Sequence, residues 1–196
     1  VCWEACDGIL ALHGPDNLAD LYLIAARKFN MKRVAWINWH YRFGQCGRSN
    51  WIDSRCHCLI FSKHKKYTWN PESVLVESDR VKYKDKRVND TVNGGKRLPG
   101  TIWGIPSDGS YWGRVQGTSK ERRANHPNQL PELYLERLIK AYTNINDKVL
   151  DPFCGSGTTI TVATTLKRDC TTIDISKENC VSAKDRVTKG SIRVKG

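Results

Sequence analysis

Residues 151–159, DPFCGSGTT, constrain the fold of this chain more than any other stretch. The apolar run KVLDPF leads into them and reads as a short, fully buried strand of the parallel-sheet kind, stopped by Pro152. Gly155 and Gly157 permit a tight turn and close backbone approach to a ligand. Ser156, Thr158 and Thr159 are placed to cap the following helix, TTITVATTLKR. A strand, a glycine turn and a helix N-terminus form the usual crevice for a nucleotide-like ligand in a doubly wound α/β sheet. The loop lacks the Gly-Lys-Ser/Thr ending of a P-loop and the G-x-G-x-x-G spacing of a dinucleotide fingerprint. With Asp151 closing the strand, it suits a cationic or hydroxyl-bearing ligand better than a pyrophosphate.

The rest of the chain bounds what surrounds this crevice. Its 196 residues make one ordinary domain, or a domain with an insertion. A net charge of +12 favours a polyanionic partner, nucleic acid or an anionic membrane surface. No apolar run approaches the ~18 residues that span a bilayer. The eight cysteines are irregularly spaced, with no C-x-x-C pair, and read as reduced thiols of an intracellular protein. CHC at 56–58 lacks a second ligand pair at zinc-finger distance, the alternative set is His40, Cys46, Cys56 and His57, and no metal is expected.

Three segments follow one another. Residues 1–62 alternate strand and helix signals: GILALH, then DNLADLYLIAARKFN with Leu18, Leu21, Tyr22, Ala25 and Phe29 on one helical face, then the strands RVAWINWHY and CHCLIF. Residues 63–125 carry ten Lys or Arg between Lys63 and Arg97 against five acids, with the turn signals NGG, LPG and IPSDGS. Interleaved Tyr67, Trp69, Tyr83, Trp103, Tyr111 and Trp112 give this insertion the look of a nucleic-acid contact surface; the alternative is a solvated excursion over a sheet edge. Residues 126–196 return to α/β alternation. QLPELYLERLIKAYT sets Leu133, Leu135, Leu138, Ile139 and Tyr142 at helical spacing with Pro131 in the first turn. After the glycine loop come the short strand CTTIDIS, ending at Asp174, and the amphipathic helix KENCVSAKDRVTK. An acid 17 residues beyond Gly157 is placed to take the two hydroxyls of a ribose, although an Asp before Ser is also a common helix cap.

Taken together, HPNQLP at 126–131, DPFCGSGTT at 151–159 and the strand end IDI at 173–175 resemble the S-adenosylmethionine-dependent DNA amino-methyltransferases. The likeness is to the group whose catalytic half and target-recognition insert precede the cofactor half. It is strong over 126–190 and looser over WGRVQGTSKER and residues 9–62. It implies an α/β fold with a doubly wound, mostly parallel, Rossmann-like sheet and a basic, loop-rich insertion. Residues 1–62 would then end the catalytic half, 63–125 would recognise the target, and 126–196 would bind the cofactor.

The resemblance also implies roles for individual residues. Asp151 with Phe153, Cys154, Gly155, Ser156, Gly157, Thr158 and Thr159 would hold the methionine portion of S-adenosylmethionine, and Asp174 its ribose. His126, Asn128, Gln129 and Pro131 would line the pocket. Two departures are visible: Leu130 stands where many members have Lys, and Asp174 where Glu is frequent. Phosphate contacts would fall to Lys63, Lys65, Lys66, Lys82, Lys84, Lys86, Arg87, Lys96 and Arg97, and groove contacts to Arg114, Arg122 and Arg123. The family activates adenine N6 or cytosine N4 with an Asp/Asn/Ser-Pro-Pro-aromatic element, acting on a base swung out of the duplex. Every proline here is isolated, so the catalytic residues are expected before Val1 and the chain alone is expected to be inactive. The implied partners are double-stranded DNA and a restriction endonuclease, in the cytoplasm or nucleoid. A cofactor-sensing nucleic-acid-binding module and an RNA methyltransferase share the same features.

Overall fold

The computed structural model describes residues 1–41, 49, 51–88, 93–105 and 113–196. Cys46, Tyr111 and Trp112 lie outside the described residues. Two compact units form, Val1–Tyr67 with Val74–Gly113 and Thr68–Ser73 with Arg114–Gly196. The basic insertion is thus no body of its own: most of it clusters with the first unit.

The first unit is built on a four-stranded sheet. After α1 (Cys2–Ala5) come β1 (Ile9–Pro15), α2 (Ala19–Lys28), β2 (Lys32–His40) and β3 (Arg55–Ser62). β3 lies between β1 and β2 and pairs antiparallel with both. Its CLIF stretch, residues 58–61, is buried on both faces, which is why that run is continuously apolar. Leu59 and Phe61 share a core with Ala26, flanked by Leu12, Tyr22, Leu23 and Trp36. The insertion contributes β4 (Val76–Glu77), α3 (Asp79–Lys82), β5 (Lys96–Arg97) and β6 (Ile102–Trp103). β4 and β5 form an antiparallel ribbon, and β6 joins β2 in parallel.

Helix α2 turns a different face inward from the one its spacing predicts. Ala19 and Ala26 are buried and Tyr22 and Leu23 pack on the core, whereas Leu21 and Phe29 are 55% and 56% exposed and Ala25 is exposed too. Gly14 of β1 sets the rotation. A Cβ there would lie 2.5 Å from the Tyr22 hydroxyl, so only bare backbone leaves room for the tyrosine ring. A polar tie fixes the entry to α2. Asp16 accepts from Arg55 Nε (2.7 Å) and from His57 Nε2 (2.5 Å), while Trp36 Nε1 donates to His57 Nδ1 (2.9 Å). Arg55 first, then His57, holds the Asp16 carboxyl below its ordinary value. His57 is thereby committed on both ring nitrogens, and no group of three or more His, Cys, Asp or Glu among the described residues is arranged to hold a metal.

The second unit runs α4 (Glu132–Tyr142), β7 (Lys148–Asp151), α5 (Thr158–Thr165), β8 (Asp169–Thr172) and α6 (Lys177–Lys189). β7 and β8 pair in parallel, Asp151 opposite Thr172. The two strands are not fully buried as KVLDPF suggests. Exposure alternates along them and Leu150 is exposed, because α5 packs over one face of the pair. Helix α4 buries Tyr134, Leu135, Ile139 and Ala141, but also Glu132 and Arg137, while Leu133 and Leu138 are only half-buried. Pro131 is its N-cap rather than a first-turn residue. The α/β class therefore holds, with parallel pairing at β7–β8 and β2–β6 and antiparallel pairing at β1–β3, β2–β3 and β4–β5. No helix of the described residues is long and apolar enough to cross a membrane.

The α2 rotation and the two-faced burial of β3 are separable by mutation. Leu59→Ala is expected to lower unfolding free energy by about 2–5 kcal/mol, whereas Leu21→Ala changes it by less than about 0.5 kcal/mol. Urea unfolding followed by tryptophan fluorescence measures both.

Candidate functional site

The glycine loop hangs between the carboxyl ends of β7 and β8. Asp151 closes β7 and its Oδ1 accepts the Phe153 N–H (3.0 Å). Cys154 N–H donates to Ile173 O (2.8 Å) and Ile173 N–H to Asp151 O (3.0 Å), so backbone bonds join the loop to the segment after β8. Gly155 and Gly157 both adopt the left-handed conformation, at φ 46° and 72°. Gly157 is itself the N-cap of α5, and none of Ser156, Thr158 or Thr159 caps that helix. Close packing is the reason: a Cβ on Gly157 would lie 2.6 Å from Ala183 Cα of α6. Beside Gly155 the space is open, its nearest outside neighbour being Phe153 O at 3.9 Å from a built Cβ. Phe153 itself stands out into solvent.

Asp174 meets this loop directly. Its Oδ2 accepts the Gly155 N–H (2.8 Å), and its Oδ1 accepts Ser176 N–H (2.9 Å) and Asn179 Nδ2 (3.0 Å). The N–H groups of Ser176 and Gly155 hold its carboxyl below the usual carboxylate range, with Asn179 and a nearby His126 adding to the effect. Ser176, not Asp174, caps α6, its Oγ accepting from Asn179 N–H (3.2 Å). A carboxylate offers about four acceptor positions, so one on Oδ2 stays open and a second opens if Asn179 releases Oδ1. The Cys154 thiol is pushed up to about 11 by burial, then by Asp174 and Cys180, which keeps it a neutral thiol.

What holds the loop from behind was not legible in the sequence. Arg186 of α6 is 1% exposed, and Glu132 at the start of α4 is fully buried. Arg186 Nη2 donates to Glu132 Oε1 (2.9 Å), and its Nη1 reaches Ser156 O (3.2 Å), Ser156 Oγ (3.3 Å) and Thr158 Oγ1 (2.7 Å). Ser156 and Thr158 hydroxyls also bond each other at 2.9 Å. Glu132 Oε2 accepts Ser191 Oγ and the N–H groups of Ile192 and Arg193, and Glu132 N–H donates to Glu121 Oε2 (2.9 Å). The one sequence signal was a charge on an apolar stripe: Arg186 shares the inward face of α6 with Ala183.

The expected pocket-lining residues divide. His126 is half-buried and close enough to act on Asp174. Gln129 is buried and occupied with backbone, its Oε1 accepting Arg123 N–H (3.1 Å) and its Nε2 donating to Glu121 O (2.7 Å). Asn128 is exposed and accepts from Arg114 Nη2 (3.1 Å). These two side chains brace the segment before α4.

The basic candidates fall on both units. Lys63 to Arg97 lie on the first unit, apart from Pro71's neighbourhood, and Arg114, Arg122 and Arg123 on the second. Lys82 and Arg97 pair with Asp79 (3.6 and 3.7 Å), Arg87 grips Asp85 (2.6 Å), and Arg123 reaches Asp185 (3.4 Å). Arg122 donates to Gly117 O (3.1 Å), and Lys63 donates to Glu4 O (3.1 Å) over the Trp3 ring. Lys65, Lys66, Lys84, Lys86 and Lys96 make no ion pair among the described residues.

Comparison with known proteins gives consistent results. A family model described as DNA methylase, of the N6/N4 type, matches residues 5–185. The type II methyltransferase M.HpaI of Haemophilus parainfluenzae is 32% identical over 192 residues, covering 94% of this chain and 56% of that protein. The crystal structure of an M1.HpyAVI–SAM complex superposes with a TM-score of 0.64 at 22% identity, over 92% of this chain and 74% of that one. The cytosine-N4-specific PvuII DNA methyltransferase gives 0.63 at 15% identity, over 96% and 66%. At those identities the two structures establish the fold. The chain spans about half the length of the curated relatives it matches over most of its own.

Arg186→Met leaves Glu132 buried without its cation and is expected to cost about 3–5 kcal/mol of stability. Burial alone raises the Glu132 carboxyl, but bonds from Ser191, Arg186 and Arg193 outweigh it and hold the group below its ordinary 4.5. A depressed carboxyl contributes its stability above the unfolded-state value and loses it as pH falls through the folded-state one. Stability is therefore expected to fall below a pH of about 4.5, and less steeply in Glu132→Gln, in urea midpoints taken across that range.

Proposed function

The chain belongs to the DNA methylase family of the N6/N4 type, and from that premise we propose that its glycine loop and Asp174 bind S-adenosylmethionine for methyl transfer to an exocyclic amine of DNA. One observation carries the cofactor assignment: a carboxylate with a free acceptor position sits against an open, left-handed glycine turn at the carboxyl edge of two parallel strands. That is where a nucleoside lies in folds of this class. Asp174 takes ribose hydroxyls, one at once and the second when Asn179 lets go. Asp151 and residues 153–159 surround the methionine portion, and Phe153 offers an exposed ring beside it. Ser156 and Thr158 act through backbone, since Arg186 holds their side chains. His126 lies on the Asp174 side of the pocket.

The cofactor, when bound, supplies a methyl group on a cationic sulfur. Two carboxylates near the loop suit that charge and the ammonium of the methionine end. The amine of adenine or cytosine is a poor nucleophile and needs polarising acceptors, and the base must leave the duplex to be reached. No Pro-Pro-aromatic element lies within residues 1–196 to supply them. In this reading residues 1–62 end the catalytic half, 63–125 contact the target and 126–196 hold the cofactor. Duplex DNA is the partner. Similarity to type II methyltransferases extends the proposal to a companion restriction endonuclease and an intracellular setting.

Calorimetry with S-adenosylmethionine tests the cofactor site. Asp174→Ala is expected to weaken binding by about 2–3 kcal/mol, roughly 30- to 150-fold. Unchanged affinity in that variant defeats the ribose assignment. The 196-residue chain by itself is expected to bind cofactor and transfer no labelled methyl to DNA.

A further inference from the structure

We propose that residues 78–88 form a rigid knuckle that docks on duplex DNA, with Lys84 and Lys86 on phosphates and Tyr83 packed on a backbone sugar. The proposal rests on the reading of the insertion as a DNA-facing region and identifies the residues that make the contact.

The segment is short but tightly closed. Helix α3 has four residues, too few to persist without help. Ser78 Oγ accepts the Arg80 N–H at its start. At its end Asp85 N–H donates to Arg80 O (3.0 Å) and Lys84 N–H to Val81 O (3.1 Å), the paired bonds of a Schellman cap. Ser78 N–H donates to Gly95 O (2.9 Å), tying the start of the helix to the turn before β5. Val81 and Val88 close over Gly95, where a Cβ would meet them at 2.8 and 2.7 Å. Arg87 grips Asp85 through both its oxygens, and Arg80 lies 4.0 Å from the same carboxylate.

Two side chains at the tip have no part in this closure. Lys84 occupies the left-handed position of the cap at φ 52°, where glycine is the easy residue and an L side chain is strained. Its ammonium pairs with nothing among the described residues. A side chain kept at a strained position and left without an internal partner is a candidate for contact outside the molecule. Tyr83, just before it, is 82% exposed. Arg80, Lys82, Lys84, Lys86 and Arg87 stand against only Asp79 and Asp85 in residues 78–88, and both carboxylates are already engaged by cations. The unpaired charge of this segment is therefore positive, and an exposed aromatic ring adjoins Lys84 in sequence. Ammonium groups near an exposed ring match backbone phosphates and the apolar deoxyribose between them.

Equilibrium binding of the 196-residue chain to a fluorescein-labelled duplex, across a salt series, tests the knuckle. Lys84→Gly is the sharpest variant, because it removes the charge while relieving the backbone. It is expected to melt at or above the parent temperature, bind severalfold more weakly, and flatten the log–log salt slope by about 0.9. Tyr83→Ala is expected to bind about tenfold more weakly with its slope unchanged, and Tyr83→Phe to recover most of that loss. If the parent binds in a salt-dependent way and both Lys84→Gly and Tyr83→Ala match it, the knuckle is overturned while the DNA-facing reading stands. A parent that does not bind duplex DNA overturns both.

Discussion

Arg186 and Glu132 form a buried ion pair on which the geometry of the glycine loop depends. Taking a guanidinium and a carboxylate out of water is costly, and the cost is offset only when both are saturated with partners. Here both are. Arg186 covers one carboxylate oxygen and three acceptors of the loop, while Glu132 takes a hydroxyl and two backbone N–H groups from residues 191–193. One pair thus fastens the start of α4, the loop, α6 and the C-terminal segment together. Glu121 extends it by accepting the Glu132 N–H and Arg193 Nε (3.2 Å).

This arrangement divides the loop into two sides. Inward, the hydroxyls of Ser156 and Thr158 are spent on Arg186. Outward, Gly155 leaves bare backbone, and Asp174 braces it with acceptor capacity to spare. A small-residue loop that must stay open needs rigid support it cannot make for itself, since glycine brings no packing of its own. The support comes from Arg186, 28 and 30 positions away in sequence.

That separation explains what the sequence reveals and what it hides. The strand, glycine turn and helix at 148–165 are legible because their signals are local, and the placing of Asp174 follows from strand spacing alone. The cap of α5 is not, because Gly157 was chosen by contact with Ala183 rather than by the cap preferences of Ser and Thr. The rotation of α2 is hidden likewise: Leu21 and Phe29 fit a helical stripe, but the bare backbone at Gly14 admits Tyr22 and turns the helix. Gln129 reads as a ligand-lining residue and serves instead to hold backbone. In each case a tertiary contact outweighs a local preference. The same holds for the charge of the insertion, much of which Asp79 and Asp85 hold in place.

An amide-resolved NMR titration of the 15N-labelled chain with S-adenosylhomocysteine tests the central claim most directly. If Asp174 and the glycine turn are the cofactor site, the amides of Gly155, Gly157 and Ser176 shift most, Gly155 and Ser176 because each donates to the carboxylate that the ribose engages. Amides of the first unit, around Asp16 and His57, stay where they were. Shifts confined to the first unit, with Gly155 and Ser176 unmoved at saturation, would contradict the account.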